Sequence, residues 1–164
     1  MRLADARKDH YRKLAKDQGY RSRAAYKLLQ LNDSYHILGK GSKVVDVGCA
    51  PGGWVQVAMK LVGAGGKVVG VDLKEVEPVA GAQIFQGDIE DPMTVRRIAE
   101  SLHDKADLLL SDLAPNVSGV WDVDHARQIS LSKSAFSLAE KVLKDNGNAV
   151  FKVFEGEFLT EFRN

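Results

Sequence analysis

The sequence predicts a three-layer α/β domain built on a parallel sheet, and three observations lead there. Apolar runs at 43–48, 67–73, 82–89 and 106–113 are short and rich in valine, leucine or isoleucine, as in strands covered on both faces. Segments with helical spacing follow the first, third and fourth of them, which argues for strand–helix–strand crossovers rather than hairpins. Glycine-rich turns such as "GKGS" and "GAGG" punctuate the alternation.

Taken in order, "SRAAYKLLQLNDSYHIL" carries an apolar stripe of Ala25, Leu28, Leu29 and Leu31, with Ser22 placed to cap the helix. "KVVDVG" (43–48) reads as the first strand and "GGWVQVAMKLV" (52–62) as the helix leaving it. "KVVGVDL" (67–73) and "AQIFQGDI" (82–89) are the next two strands, and Pro92 opens a helix over 92–102. "ADLLLSDL" (106–113) is the fourth strand, followed by an irregular loop, "APNVSGVWD", and a helix running to about Lys144. "NGNAVFKVF" is the fifth strand, opened by an Asn-Gly turn, and "EFLTEF" starts a last helix. An open five-strand sheet leaves an edge, with dimerisation or aggregation as the attendant risk.

The 164 residues fit one domain, with a basic arm and helix over 1–30 facing its partner and the sheet domain proper over 31–164. The charge is uneven. Residues 1–30 hold nine Lys/Arg against three aspartates, although the whole chain carries only +1. With Tyr11, Tyr20 and Tyr26 interleaved, such an arm suits a phosphate backbone and unstacked bases as well as it suits a solvated helix. Cys49 is the single cysteine, so neither a disulfide framework nor a thiolate metal cluster can form. His10, His36, His103 and His125 lack metal-ligand spacing, so no metal is expected. No apolar run approaches a membrane span and the N-terminus is not signal-like, which leads to an expectation of a soluble, cytoplasmic protein.

In open α/β sheets ligands bind beyond the carboxyl ends of the strands. "DVGCAPGGW" follows the first strand, where Gly48, Gly52 and Gly53 permit close backbone approach and a helix N-terminus offers free N–H groups. Asp72 ends the second strand, where a carboxylate can accept both hydroxyls of a ribose, and Asp88 ends the third, within reach of an adenine amino group. A dinucleotide fingerprint fails at Ala50, and Pro51 removes an N–H that a pyrophosphate would use. No G-K-[ST] follows the first strand, so a P-loop is absent. Acidic groups at three strand ends (Asp46, Asp72, Asp88) suit a cationic sulfonium, as in S-adenosylmethionine, better than an anion.

Asp112 ends the fourth strand in "SDLAPN", and Lys152 stands at nearly the same height in the fifth, among Val150, Phe151, Val153 and Phe154. A lysine inside a strand buried on both faces is costly unless paired. Asp112 facing Lys152 across neighbouring strands would supply the partner, at a solvent-facing end. Trp121, beside Asp122 and Asp124 in the loop after "APN", reads equally as a base-stacking platform or a loop anchor.

In that order, "YRSRAAYKL", "DVGCAPGGW", "DL", "GD", "SDLAPN" and "FKVFEG" resemble the FtsJ/RrmJ family of ribosomal RNA large-subunit 2′-O-ribose methyltransferases, from about Tyr11 to Gly156. The resemblance implies the Rossmann-like S-adenosylmethionine methyltransferase sheet, a uridine ribose in 23S-type ribosomal RNA as substrate, and a Lys-Asp-Lys-Glu catalytic set. By motif, the first three are Lys27, Asp112 and Lys152, and the cofactor positions are Gly52, Gly53, Trp54, Asp72, Asp88 and Asp112. The family's glutamate has no counterpart, since Glu155, Glu157 and Glu161 lie too early in the pattern. The resemblance therefore implies a chain without the last helix–strand–strand portion. The expected mechanism makes Lys152 the base, or the group steering the 2′-oxygen. Asp112 would hold that lysine, while Lys27 would orient ribose or phosphate.

Two other readings compete with that enzyme. One is an impaired RNA- or ribosome-binding module on the same sheet, and the other is a dinucleotide oxidoreductase, disfavoured by Ala50 and Pro51.

Overall fold

A computed structural model describes residues 3–164. The chain runs α1 (Leu3–Asp17), α2 (Ala24–Tyr35), β1 (Lys43–Val47), α3 (Gly53–Val62), β2 (Lys67–Asp72), β3 (Gln83–Gln86), α4 (Pro92–Leu102), β4 (Ala106–Ser111), α5 (Trp121–Val142), β5 (Leu143–Phe151) and α6 (Leu159–Arg163). The five strands form one parallel sheet in the order β3-β2-β1-β4-β5. The predicted three-layer architecture is what forms. No helix among the described residues is long and apolar enough to cross a membrane.

Strand periodicity sorts the valines and leucines onto two cores. Val45, Val47, Val69, Val71 and Leu109 face α4 and α5, packing with Ile98, Leu102, Ala135 and Leu138. Val44, Val68, Leu108 and Leu110 face α2 and α3, packing with Ala25, Leu28, Trp54, Val55 and Val57. Because β1 is central, every residue in it after Lys43 is buried, including Asp46.

Several boundaries differ from the sequence expectation, each for a local reason. Asp91 caps α4 by accepting from Met93 N–H, with Pro92 in the first turn as expected. Ser22 is not the side-chain cap of α2, because its hydroxyl lies against Gly53. The third strand stops at Gln86 and the fourth at Ser111, so Asp88 and Asp112 belong to the loops beyond. Helix α5 ends at Val142, and Leu143 already pairs with Ala106. The register then shifts before Leu108 meets Asn148, and the Asn-Gly pair lies inside this irregularity, with Asn146 at φ 62°.

The largest correction concerns the strand expected to carry Lys152. Among the described residues β5 is an edge strand, as β3 is, its inner residues are only partly covered, and Lys152 lies just past its end with a side chain 56% exposed. The ammonium is therefore not buried. The run of apolar letters misled because an edge strand has one neighbour, not two.

Leu28 is fully buried between α2 and the sheet core. Leu28→Ala should lower the unfolding free energy by about 3 kcal/mol, the usual cost of a buried leucine-to-alanine change. Urea unfolding should remain one transition, because the basic arm reaches the sheet through this helix. Two separated transitions would show the arm and sheet to be independent units.

Candidate functional site

The carboxyl ends of the strands bring the chemistry-bearing side chains into one row, in the sheet order Asp88, Asp72, Asp46, Asp112, Lys152. β4 and β5 are in register with Leu110 opposite Val150 and Ser111 opposite Phe151. The next step of that ladder sets Asp112 beside Lys152. Lys152 N–H donates to Ser111 O at 2.9 Å, and Lys152 Nζ lies 3.0 Å from Asp112 Oδ1. The expected carboxylate–ammonium pair is thus formed at a solvent-facing strand end. Period-2 alternation puts Asp46, Asp112 and Lys152 on the sheet face that carries α2 and α3.

Asp46 is the group whose burial is least compensated among the described residues. It is fully buried in β1, and neither carboxylate oxygen has a hydrogen-bond partner among the described residues. Burial pushes its carboxyl well above the usual range, and the nearby Asp112 and Asp72 push it the same way. Buried polar groups are ordinarily partnered, so such an orphan points to a polar or cationic group supplied from outside the chain. Asp46 opens into a cavity of about 160 Å³ walled by Ser22, Gly48, Cys49, Gly53, Trp54 and Asp112. Cys49 is buried beside it, and burial, with Asp46 and Asp72, pushes its thiol up.

The loop after β1 forms this cavity's wall by close approach. Gly48 has φ 72°, and a Cβ there would sit 2.9 Å from Leu113 Cδ2 and 3.0 Å from Asp112 O. At Gly53 a Cβ would lie 2.3 Å from Ser22 Oγ. Both positions need glycine to bring β4's loop and the N-terminal arm against the β1–α3 turn. Asp72 braces the same turn, accepting from Ala50 N–H at 2.9 Å and from Lys74 N–H at 2.8 Å. Asp88 is exposed and accepts from Glu90 N–H at 2.9 Å. Asp72 and Asp88 therefore stand at neighbouring strand ends, outside the walls of the Asp46 cavity. Gly52, at φ 113°, lies over the Arg21 guanidinium.

A second cavity, of about 580 Å³, lies between α1, α2 and the end of β5. Its walls carry Arg7, Lys8, Arg23, Lys27 and Lys152 and no carboxylate, over a floor that includes Leu31, Trp54, Val150 and Phe151. Lys27 is exposed and shares this cavity with Lys152. Tyr11 and Tyr26 line it, their ring centroids 5.8 Å apart. Trp54 is buried, donates through Nε1 to Ala24 O at 2.7 Å, and lines both cavities. Trp121 stacks on His125 at 5.9 Å and lies 5.8 Å from Phe154, which favours the loop-anchor reading.

Some site-forming residues left no sequence signal. Arg21 donates to the carbonyls of Pro51 (3.1 Å), Glu77 (2.5 Å) and Pro78 (2.6 Å), tying the arm to the loops after β1 and β2. Gln128 and His125, both buried in α5, bond to the backbone after β5. Such side-chain-to-backbone bonds between distant segments have no spacing by which to be found. Asp46, by contrast, was legible as one of the acidic groups at strand ends, although its complete burial was not.

The model of the FtsJ-like methyltransferase family matches residues 20–164. The chain is 57% identical to the ribosomal RNA large subunit methyltransferase E of Nitrosopumilus maritimus, over all of this chain and 83% of that protein. It is 55% identical to the protein of the same name from Cenarchaeum symbiosum, again over 83% of it. With the Methanothrix thermoacetophila protein the identity is 51%, over 62% of that longer chain. A solved Plasmodium falciparum protein, described as a ribosomal RNA methyltransferase, superposes with TM-score 0.77 at 29% identity, covering 88% of this chain and 84% of its own. The chain belongs to the FtsJ-like methyltransferase family and is a methyltransferase.

Proposed function

We propose that this methyltransferase uses S-adenosylmethionine to methylate a ribose 2′-hydroxyl, a uridine's by family resemblance, in large-subunit ribosomal RNA. The supporting observation is that two cavities of opposite character share the walls Arg23, Ala24 and Trp54, with the Asp112–Lys152 pair spanning them. The smaller holds two carboxylates, Asp46 and Asp112, and suits a cation. The larger holds five Lys/Arg and aromatic side chains, and suits a nucleotide. The names of the relatives point to the same substrate class.

The donor site fits on this chain's own features. Orphaned Asp46 would receive a cationic amino-acid end in the cavity that Gly48 and Gly53 help to wall. The cavity is too small for the whole molecule, so the nucleoside would use Asp72 and Asp88, with Trp54 as a wall. When bound, S-adenosylmethionine supplies a methyl on a sulfonium, transferred in line to oxygen as the carbon–sulfur bond breaks. The protein's main contribution is then position. Asp112 holds the Lys152 amine at 3.0 Å, and Lys152 steers the 2′-oxygen or, in its neutral form, takes its proton. Lys27 holds the ribose or its phosphate from the other wall of the larger cavity. The arm over residues 1–30, part of the same domain as 31–164, grips the flanking phosphates. This reading places the chain in the cytoplasm, where ribosomal RNA is met.

Lys152→Ala should reduce methyl transfer to unmodified large ribosomal subunits by about 10²–10⁴-fold, with donor affinity nearly unchanged. Labelled-methyl transfer beside equilibrium binding checks this, and near-normal turnover in the variant would remove Lys152 from the mechanism. Saturable donor binding with no transfer by the unaltered chain would leave it an RNA-binding module.

Asp46→Asn tests the smaller cavity. The folded protein raises the Asp46 carboxyl, so it keeps a proton that the unfolded chain releases near pH ~4. Ligand-free stability must then fall as pH rises from that point through the folded-state value. Asp46→Asn should abolish that slope, melting higher than wild type at pH 7 by a margin that shrinks toward pH 4. It should also weaken donor binding by about tenfold or more, the worth of a charged hydrogen bond. A variant less stable at every pH would mean that Asp46 has a partner inside the fold.

A further inference from the structure

We propose that Gln128 and His125 are positioning residues that hold the loops carrying Asp112 and Lys152 at a fixed separation. This rests on the reading of Asp112 and Lys152 as the reacting pair.

Lys152 N–H makes the bond to Ser111 O that continues the β4–β5 ladder past its last strand residue. Two residues on, the backbone of Phe154 is held by side chains. Gln128 Oε1 accepts from Phe154 N–H at 2.7 Å, and His125 Nε2–H donates to Phe154 O at 3.1 Å. The same Gln128 amide reaches the other loop, with Nε2 3.5 Å from Leu113 O. Leu113 follows Asp112 directly, so one buried amide spans the segments on which both members of the pair are mounted.

The clamp is built rather than incidental. Gln128 and His125 are each 1% exposed and sit three residues apart, on one face of α5. Trp121 stacks on the His125 ring with 13° between the planes, and Phe158 lies 5.4 Å from it. A Cβ at Gly156 would lie 2.3 Å from His125 Cε1, so the chain after β5 closes onto the imidazole only because that residue is glycine. Asp124 secures the preceding loop, accepting from Ser118 N–H at 2.8 Å and Gly119 N–H at 3.2 Å. A rigid amide of fixed length suits the task, because the Asp112–Lys152 pair is solvent-facing and its own attraction is weakened by water. Misplacement of a reacting group by about 1 Å can cost about 10²-fold in rate.

The test compares Gln128→Met, which keeps the volume and removes both amide bonds, with Gln128→Glu, which keeps the acceptor for Phe154 N–H. Leu138→Ala, a buried change in α5 away from the loops, is the stability control. Turnover should fall by about 100-fold in Gln128→Met and less in Gln128→Glu, with KM for RNA and donor affinity little changed. Leu138→Ala should lower the melting temperature and spare turnover. In parallel, limiting acetylation mapped by mass spectrometry should modify Lys152 faster in Gln128→Met than in wild type, with Lys60 as the unchanged reference. Wild-type turnover and an unchanged Lys152 rate in Gln128→Met would overturn the clamp. So would a parallel loss of donor affinity and turnover, the mark of general loosening. Should Gln128→Met fail to fold, His125→Phe is read in its place, since it keeps the stack on Trp121 and loses the bond to Phe154 O. The acetylation readout needs no catalysis. A wild type without transfer would sink the functional reading, while Lys152's rate would still decide the clamp.

Discussion

The parallel register of β4 on β5 is the constraint from which the site follows. With Leu110 opposite Val150 and Ser111 opposite Phe151, the residues after the strands are paired by the ladder before any charge attraction acts. Alternation then decides the face. Leu108, Leu110 and Asp112 share a parity, as do Val150 and Lys152, so both ionic side chains turn toward α2 and α3. A slip of one residue would send one of them to the α5 side and break the pair. The irregularity at Asn146–Gly147 is consistent with this, because it absorbs the extra residues between Leu143 and Asn148 without disturbing the register nearer the site.

That dependence explains which parts of the molecule could be read from the letters. The alternation of apolar runs and helical segments was sufficient for the layers. The carboxylates closing or following four strands marked the side of the sheet that does chemistry. Burial was harder. "AVFKVF" looks like a strand covered on both faces, yet coverage belongs to strand order, and among the described residues β5 has β4 as its one neighbour. Lys152 is consequently half in water, and its retention needs less explanation than a buried ammonium would. Asp46 is the converse. The same alternation that reads as ordinary in "KVVDV" places its carboxylate in the central strand, where burial is complete. The glycines of the β1–α3 turn were legible as a class, but their reasons were not. Gly53 is small because Ser22 of the arm presses on it, a contact between segments thirty-one residues apart.

Arg21 and Ser22 give the basic arm a structural task distinct from its charge. The Arg21 guanidinium donates to Pro51 O in the glycine-rich turn and to Glu77 O and Pro78 O in the loop after β2, while its own N–H donates to Gln56 Oε1. Trp54 returns the tie by donating to Ala24 O. The junction of arm and α2 thus forms a wall of both cavities, with Arg23 and Ala24 common to each. On the proposed reading, an RNA that draws the arm toward its phosphates must pull on the turn that shapes the donor cavity. The two ligands would then be coupled through packing alone.

The electrostatic layout makes the same division. Moving along the strand ends from β3 toward β5, the side chains pass from Asp88 and Asp72, through Asp46 and Asp112, to Lys152, with Lys27 and the arm's cations beyond. On the proposed reading a cationic donor would be favoured on one side of Asp112 and a polyanion on the other, and their reacting ends would meet near that residue. Asp72 adds precision on the acidic side. Its two oxygens already accept from Ala50 and Lys74 N–H groups, which fix the carboxylate plane while leaving each oxygen a further lone pair. A ribose diol arriving there would meet an acceptor that has no rotamer freedom left to lose. The bonds that make Asp72 look like a mere turn-former are therefore the ones that would prepare it to bind.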